Sequence, residues 1–212
     1  MRKDLVKTQP LYSSFLSCDK DTETIIKTLF VDSKPYSDIL KRLLVINKPD
    51  CLDTENTDYQ KLIDSKSLGT LIEEGYIRLN PKIARTEFED IRSFILITFD
   101  NFSPNRSNPE FRDCTVNFDI ICYMDEWCLD DYKVRPLAIV GYIDGILNSL
   151  TDKNKLTVRS TGNNIKMSGY GAYKFLGCNL AVLNEDISMY TLSYRAEHFT
   201  EDTEQIGEVT IS

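Results

Sequence analysis

The sequence predicts an α+β protein in which a helix packs across an antiparallel β-sheet, preceded by an N-terminal helical arm. Three observations support this fold class. The first eighty residues carry apolar side chains at helical spacing, and the sequence from about residue 83 alternates polar and apolar residues. Most predicted strands also follow one another without intervening helices. We therefore expect a helical arm at 1–82, an α+β domain at 83–200 and an acidic tail at 201–212.

Two amphipathic helices are predicted in the arm. The first covers Thr24 to Phe30, where four apolar residues share one face: Ile25, Ile26, Leu29 and Phe30. The second begins after Ser33, the predicted cap, with Pro35 in its first turn and apolar residues spaced as on one helical face: Tyr36, Ile39, Leu40, Leu43 and Leu44. Asp50 to Asp58 is predicted to be a solvated loop, and a short helix is predicted over Ser67 to Glu74.

Strands dominate the rest of the chain, and one helix interrupts them. Composition and alternation predict strands over Arg92–Phe99, Asp113–Tyr123, Leu156–Arg159, Tyr170–Leu183 and Ser188–Phe199. Asn101 to Pro109 is predicted to be a loop, because it carries two prolines and three asparagines. Pro136 suits the first position of a helix that runs to Leu150 with its apolar face at Leu137, Val140, Ile143, Ile146, Leu147 and Leu150.

Charge and composition exclude several classes of function. The net charge is −8, of which −2 lies before residue 111 and −6 from there onward. No basic stripe suitable for gripping nucleic acid is present. No apolar run is long enough to span a membrane, and the N-terminus lacks the pattern of a signal peptide. The six cysteines form no CxxC pair, so we expect buried thiols in a reducing cytoplasm and no metal or other cofactor.

Catalytic interpretations find little support in the sequence. A serine hydrolase needs a base, and His198 is the sole histidine, with no G-x-S-x-G elbow in the chain. The carboxylates of Asp125, Glu126, Asp130 and Asp131 could bind Mg²⁺ or supply an acid and a base. A metal-dependent hydrolase therefore remains an alternative, although a solvated loop before a helix is the favoured interpretation. We predict that the protein is not an enzyme.

The C-terminal half resembles the neck and tail-terminator proteins of tailed bacteriophages. The resemblance covers roughly Ile91 to His198. It rests on the segments Asn117–Tyr123, Trp127–Asn148, Phe175–Asn179 and Tyr190–His198, in which a strand and a Trp-containing turn lead through Arg-Pro into a helix, and antiparallel strands follow. The resemblance implies a structural virion protein that assembles in the host cytoplasm as a ring, typically six-fold, at the phage neck. Such a ring ends the tail tube and joins it to the head connector, while DNA passes through its lumen. A head-completion or portal-adaptor ring is the sister alternative.

A closed ring needs two different complementary patches on each subunit. The predicted patches are the helix Pro136–Leu150 with the preceding loop, and the exposed face of the last strand. Their candidate interface residues are Trp127, Tyr132, Arg135, Tyr142, Tyr190, Tyr194 and Arg195. Trp127 could equally be a core residue that closes a sheet edge. Gly141 and Gly145 form a GxxxG on the predicted helix, which indicates close packing within or between subunits. We expect the acidic half to face DNA or solvent, without specific DNA binding, and the arm to dock on the portal, adaptor, head-closure or tail-tube proteins.

Overall fold

A computed structural model describes residues 14–79, 93–106, 112–148 and 170–198. Five α-helices precede or interrupt a five-stranded sheet in these ranges: α1 (Ser14–Lys27), α2 (Tyr36–Val45), α3 (Thr57–Ser65), α4 (Leu68–Glu73) and α5 (Arg135–Asn148). The strands are β1 (Ile77–Arg78), β2 (Ser93–Pro104), β3 (Arg112–Tyr123), β4 (Tyr170–Val182) and β5 (Ile187–His198). The α+β class is confirmed. The strand predicted at Leu156–Arg159 and the acidic tail lie outside the described residues.

The sheet has the order β1-β2-β3-β5-β4. All of its pairs are antiparallel except β1 with β2, where a two-residue strand runs parallel. This short parallel strand was not expected from the sequence, because two residues carry no periodicity. β5 is a central strand, paired with β3 on one side and β4 on the other. β4 and β1 are therefore the outermost strands of the sheet.

One hydrophobic core joins the helices to the sheet. It contains the four apolar residues predicted on the first helix, of which Leu29 and Phe30 lie in the helical turn Thr28–Asp32 after α1. Leu40, Leu43 and Leu44 of α2 are also in the core, whereas Tyr36, predicted on the same face, is exposed. The sheet contributes Cys114, Val116, Phe118, Ile120 and Cys122 of β3, and α5 contributes its inner face. α5 packs on β3 and β5, and α2 packs on α5 and β2. The helical region therefore packs on the sheet domain through a shared core. The predicted boundary at residues 82/83 stays a prediction, since residues 80–92 lie outside the described ranges.

Several local predictions need correction. Ser33 does not cap α2 with its side chain; its carbonyl accepts from Tyr36 N at 2.9 Å instead. The segment predicted as one loop, Asp50–Asp58, leads directly into α3, which the sequence analysis missed. Asn56 Oδ1 caps α3 by accepting from two backbone N–H groups. β2 extends to Pro104 and so includes part of the predicted loop.

Candidate assembly surfaces

A tight hairpin stands between the short helical turn after β3 and the start of α5. Cys128 and Val134 form its bridge, and Leu129 N donates to Lys133 O at 2.9 Å. Asp131 and Tyr132 have φ values of 59° and 58°, as both central residues of a type I′ turn do. Such turns favour asparagine and glycine, so a tyrosine here is strained. The Tyr132 side chain is fully exposed at the hairpin tip.

The base of this hairpin is held by Arg135, which is 0% exposed. Its guanidinium donates to four backbone carbonyls, those of Leu43 (2.7 Å), Ile46 (2.8 Å), Lys48 (2.8 Å) and Glu126 (2.8 Å). Its own N–H donates to Trp127 O at 2.8 Å. Arg135 therefore joins the end of α2 to the start of α5. Because it is buried in its own chain, the structure places it away from any surface that a second subunit could contact.

The candidate aromatic residues divide between surface and interior. Trp127 and Tyr190 pack together with ring centroids 6.0 Å apart, and both are half-buried. Tyr142 is half-buried on α5, 6.4 Å from the exposed ring of Tyr36. Tyr194 is 0% exposed, and its hydroxyl bonds to the Asp144 carboxylate of α5. This arrangement contradicts the prediction that Tyr190 and Tyr194 lie at a subunit interface, because both side chains point towards the helical layer.

The outer surface of α5 carries a stripe of exposed residues one turn apart. Leu137, Gly141 and Gly145 follow at intervals of four and are all exposed, and a Cβ on either glycine would meet nothing within 4 Å. Leu137 was predicted on the apolar inner face, but 47% of it is exposed. Each glycine in a helix interior costs about 1 kcal/mol relative to alanine. Contacts among the described residues of one subunit do not explain why this stripe has glycine, and so no side chain, at positions 141 and 145.

The sheet face opposite α5 is polar over its middle. Arg195 lies there and forms an ion pair with Asp113 across the strands at 3.0 Å. Cross-strand hydrogen bonds continue the row: Thr191 to Asp119 (2.6 Å), Ser193 to Asn117 (2.6 Å) and Asn117 to Asp100 (2.9 Å). Partial burial raises the pKa of the Asp119 carboxyl, although the Thr191 hydrogen bond opposes this shift. The face combines carboxylates with neutral hydrogen-bonding groups.

The acidic segment before α5 was the candidate for metal-dependent chemistry. Asp130 and Asp131 line an open cleft of about 280 Å³, opposite Asp50 and Asp53. Among the described residues, no group of three or more histidine, cysteine, aspartate or glutamate side chains is arranged to hold a metal ion.

His198 ends β5, and its side chain lies outside the described part of the structure. No described helix is long and apolar enough to cross a membrane.

Comparison with protein-family models assigns the chain to a family. The family model of YomW matches residues 37–195, which is more than half of the sequence. The chain belongs to the YomW family. YomW is a phage-associated family, in agreement with the phage resemblance of the sequence. The YomW match begins in α2 and ends in β5, so it contains the hairpin, α5 and every candidate interface residue.

Two further comparisons add little to the YomW assignment. A chain from the "Virion of native gene transfer agent (GTA) particle" is similar with 15% sequence identity and a TM-score of 0.31. The alignment covers 66% of this chain and 90% of that chain, and the TM-score is too low to carry an argument. No curated protein matches the sequence significantly.

Proposed function

We propose that this protein is a structural protein of a phage particle, where it forms a ring at the neck. The ring would join the head connector to the tail and end the tail tube, with DNA passing through its lumen. The phage association of the YomW family supports the coarse assignment, and the resemblance of residues 91–198 to tail terminators supports the ring. The proposal assigns no catalytic step, metal or cofactor to the chain.

The fully exposed Tyr132, held with positive φ at the hairpin tip, carries this proposal. A strained backbone persists where the structure around it enforces it, and such positions cluster at binding sites. The Leu137–Gly141–Gly145 stripe is a second surface of different shape, since two of its three positions carry no side chain, whereas the hairpin projects one. A projecting tyrosine and a flat helix face are the kind of unlike patches that a head-to-tail ring requires. The polar, carboxylate-containing sheet face suits a lumen that DNA passes without being gripped.

Mass photometry and negative-stain microscopy of the full chain test the ring directly. We expect a closed ring, with six copies of the 24.4 kDa chain for a tail terminator. Replacing Tyr132 with glycine should relieve the positive φ and still lower the ring population at least tenfold, because the side chain contacts the neighbouring subunit. Ile72→Ala is the control, since Ile72 is exposed on α4, outside the hairpin and α5.

The outcomes of this experiment separate the alternatives. A strictly monomeric protein, or a ring that tolerates Tyr132→Gly as well as Ile72→Ala, would contradict the proposed contact. A ring of different copy number that binds the portal protein would favour the head-completion or adaptor alternative. Loss of ring formation by Tyr132→Gly with unchanged circular dichroism would support the hairpin as an interface.

A further inference from the structure

β4 is an edge strand with an unusual amount of exposed apolar surface. It is the last strand in the sheet order and pairs only with β5 among the described strands. Its large apolar residues are about half exposed or more: Phe175 (59%), Leu176 (53%), Leu180 (54%) and Val182 (66%), followed by Leu183 (48%) just after the strand. A long, apolar, exposed edge offers unpaired backbone groups and side-chain surface to another chain.

Several of these apolar side chains form a stripe. Cys178, Leu180 and Val182 alternate along the strand and so share one face of the sheet, and Phe175, which lies opposite Tyr194 beyond the bulge at Leu176, faces the same way. Cys178 and Leu180 lie opposite Leu192 and Tyr190 of β5, which places the stripe on the same face as α5. α5 packs on β3 and β5, which leaves the stripe as an exposed continuation of the core face.

The other edge of the sheet, formed by β1 and β2, is protected against pairing with another chain in ways that β4 is not. There β1 pairs with Ile95 and Leu96 of β2, a register shift interrupts β2 between Asp100 and Ser103, and Pro104 ends it. Bulges and proline are devices that prevent edge-to-edge association. β4 has its own bulge near Phe175, but from Gly177 to Val182 it contains no bulge, proline or charged residue. Among the described strands, β4 is therefore the unprotected edge.

We propose that the β4 edge pairs with β4 of a second copy of this chain, antiparallel about a two-fold axis at Asn179. Leu183 N donates to Ile187 O at 3.0 Å, so the backbone groups of Leu183 face β5. Alternation then turns those of Val182, Leu180 and Cys178 to the outer edge. With the axis at Asn179, Cys178 lies opposite the partner's Leu180, and Val182 lies opposite the bulge that holds the partner's Phe175 and Leu176. Every member of the stripe then meets an apolar residue.

Charge favours the same antiparallel arrangement. Lys174 lies near the start of β4, whereas the exposed Glu185 and Asp186 follow its end. Antiparallel pairing brings each lysine near the acidic end of the partner strand. Parallel pairing would instead place like charges together, which is unfavourable. The contact extends the sheet to ten strands and is independent of the ring contact, because it uses neither the hairpin nor the outer surface of α5.

Disulfide trapping tests the position of the axis. Asn179→Cys would be introduced into full-length protein in which Cys18 and Cys128 are replaced by serine and Cys178, a member of the apolar stripe, is replaced by alanine. A residue on the axis lies opposite its own copy in a non-hydrogen-bonded pair, where Cα atoms are about 4.5 Å apart and a disulfide can form. We expect mild oxidation to convert most of this variant to a covalent dimer on non-reducing gels. Lys174→Cys in the same background should give at least tenfold less dimer, since its copies lie far from the axis.

A charge substitution tests the apolar stripe. Leu180→Lys appears twice in a two-fold contact, so it should raise the dimer dissociation constant at least about 100-fold and suppress trapping of the Asn179→Cys variant. Ile72→Lys, on the exposed surface of α4, is the control and should leave both unchanged. Equal trapping at positions 174 and 179, or undiminished trapping with Leu180→Lys, would overturn the proposal, as would a β4 edge covered by another protein. Trapping that persists in the Tyr132→Gly variant separates this contact from the ring.

Discussion

Replacing Arg135 with methionine should destabilise the folded chain severely. The substitution keeps much of the aliphatic volume but removes the donors that serve the carbonyls of Leu43, Ile46, Lys48 and Glu126. Hydrogen bonds from a charged donor contribute about 1.5–3 kcal/mol each, and acceptors left buried without a partner cost more than acceptors that water can reach. Part of this loss is offset because the variant no longer buries a charge, so we expect a net loss of about 3–5 kcal/mol.

Urea unfolding followed by circular dichroism measures this loss. With slopes of about 1–3 kcal/mol/M, the midpoint should fall by about 1–2 M or more. Arg135→Lys should recover only part of the stability, because a single ammonium group cannot reach carbonyls on both α2 and the turn before the hairpin. Arg106→Met is the matched control on an exposed arginine and should change stability by less than about 0.5 kcal/mol. A loss below 1 kcal/mol for Arg135→Met, or full recovery by lysine, would refute the assigned role.

Four further predictions concern single side chains. Gly141→Ala should stabilise the subunit by about 1 kcal/mol in urea unfolding, because nothing lies within 4 Å of its new Cβ, yet it should weaken the ring in mass photometry; an equally stable ring would remove the stripe from the interface. Tyr194→Phe should lower the free energy of unfolding by about 1–2 kcal/mol through loss of the Asp144 hydrogen bond, and no change would contradict that bond. Burial raises the pKa of the Cys122 thiol to about 11, so the folded state resists its ionisation; the contribution of this thiol to stability should be constant below about pH 9 and fall between pH 9 and 11 by about 2–3 kcal/mol in pH-dependent unfolding, with a smaller fall in Cys122→Ala. In the native protein at pH 8, iodoacetamide should alkylate the exposed Cys128 well before Cys122, as mass spectrometry of peptides would show, and equal rates would contradict the burial of Cys122.

The elements with strong periodicity could be predicted from the sequence. The alternation that ends at Cys122 predicts β3 and its buried face, since every second residue from Val116 is buried. The proline at position 136 and the apolar spacing that follows it predict α5. These patterns predict the elements because each element buries one whole face against a single core, and its periodicity is therefore repeated over many residues.

The elements that the sequence does not predict, α3 and β1, are short or depend on tertiary contacts. α3 buries only Tyr59 and Ile63, which are too few to stand out among its polar neighbours. A local signal was present in Asn56, because asparagine is a favoured helix cap. β1 exists through pairing with β2, and two residues hold no pattern of their own. In such cases tertiary contacts, and not the local sequence, determine the local structure.

The candidate residues show where the surface can and cannot be inferred from residue type. Arginine is rarely buried unless its donors are satisfied, so the sequence places Arg135 on the surface. Its partners are carbonyls at the end of α2, almost ninety positions earlier in the chain, and no local pattern reveals them. Tyr132 is on the surface as predicted, but the positive φ that marks it follows from the hairpin geometry.

Arg135 also determines how the proposed interface is presented. Its N–H bonds to Trp127 O at the hairpin base, its guanidinium bonds to α2, and Asp130 N donates to Pro49 O at 3.1 Å beside it. The hairpin tip is therefore fixed relative to both the helical region and α5. A tyrosine on a loose loop would lose conformational entropy on docking, whereas a tip that is already fixed loses less. In the proposed ring, the buried arginine would therefore contribute to assembly without touching another subunit, because it pre-organises the hairpin that is proposed to make the contact.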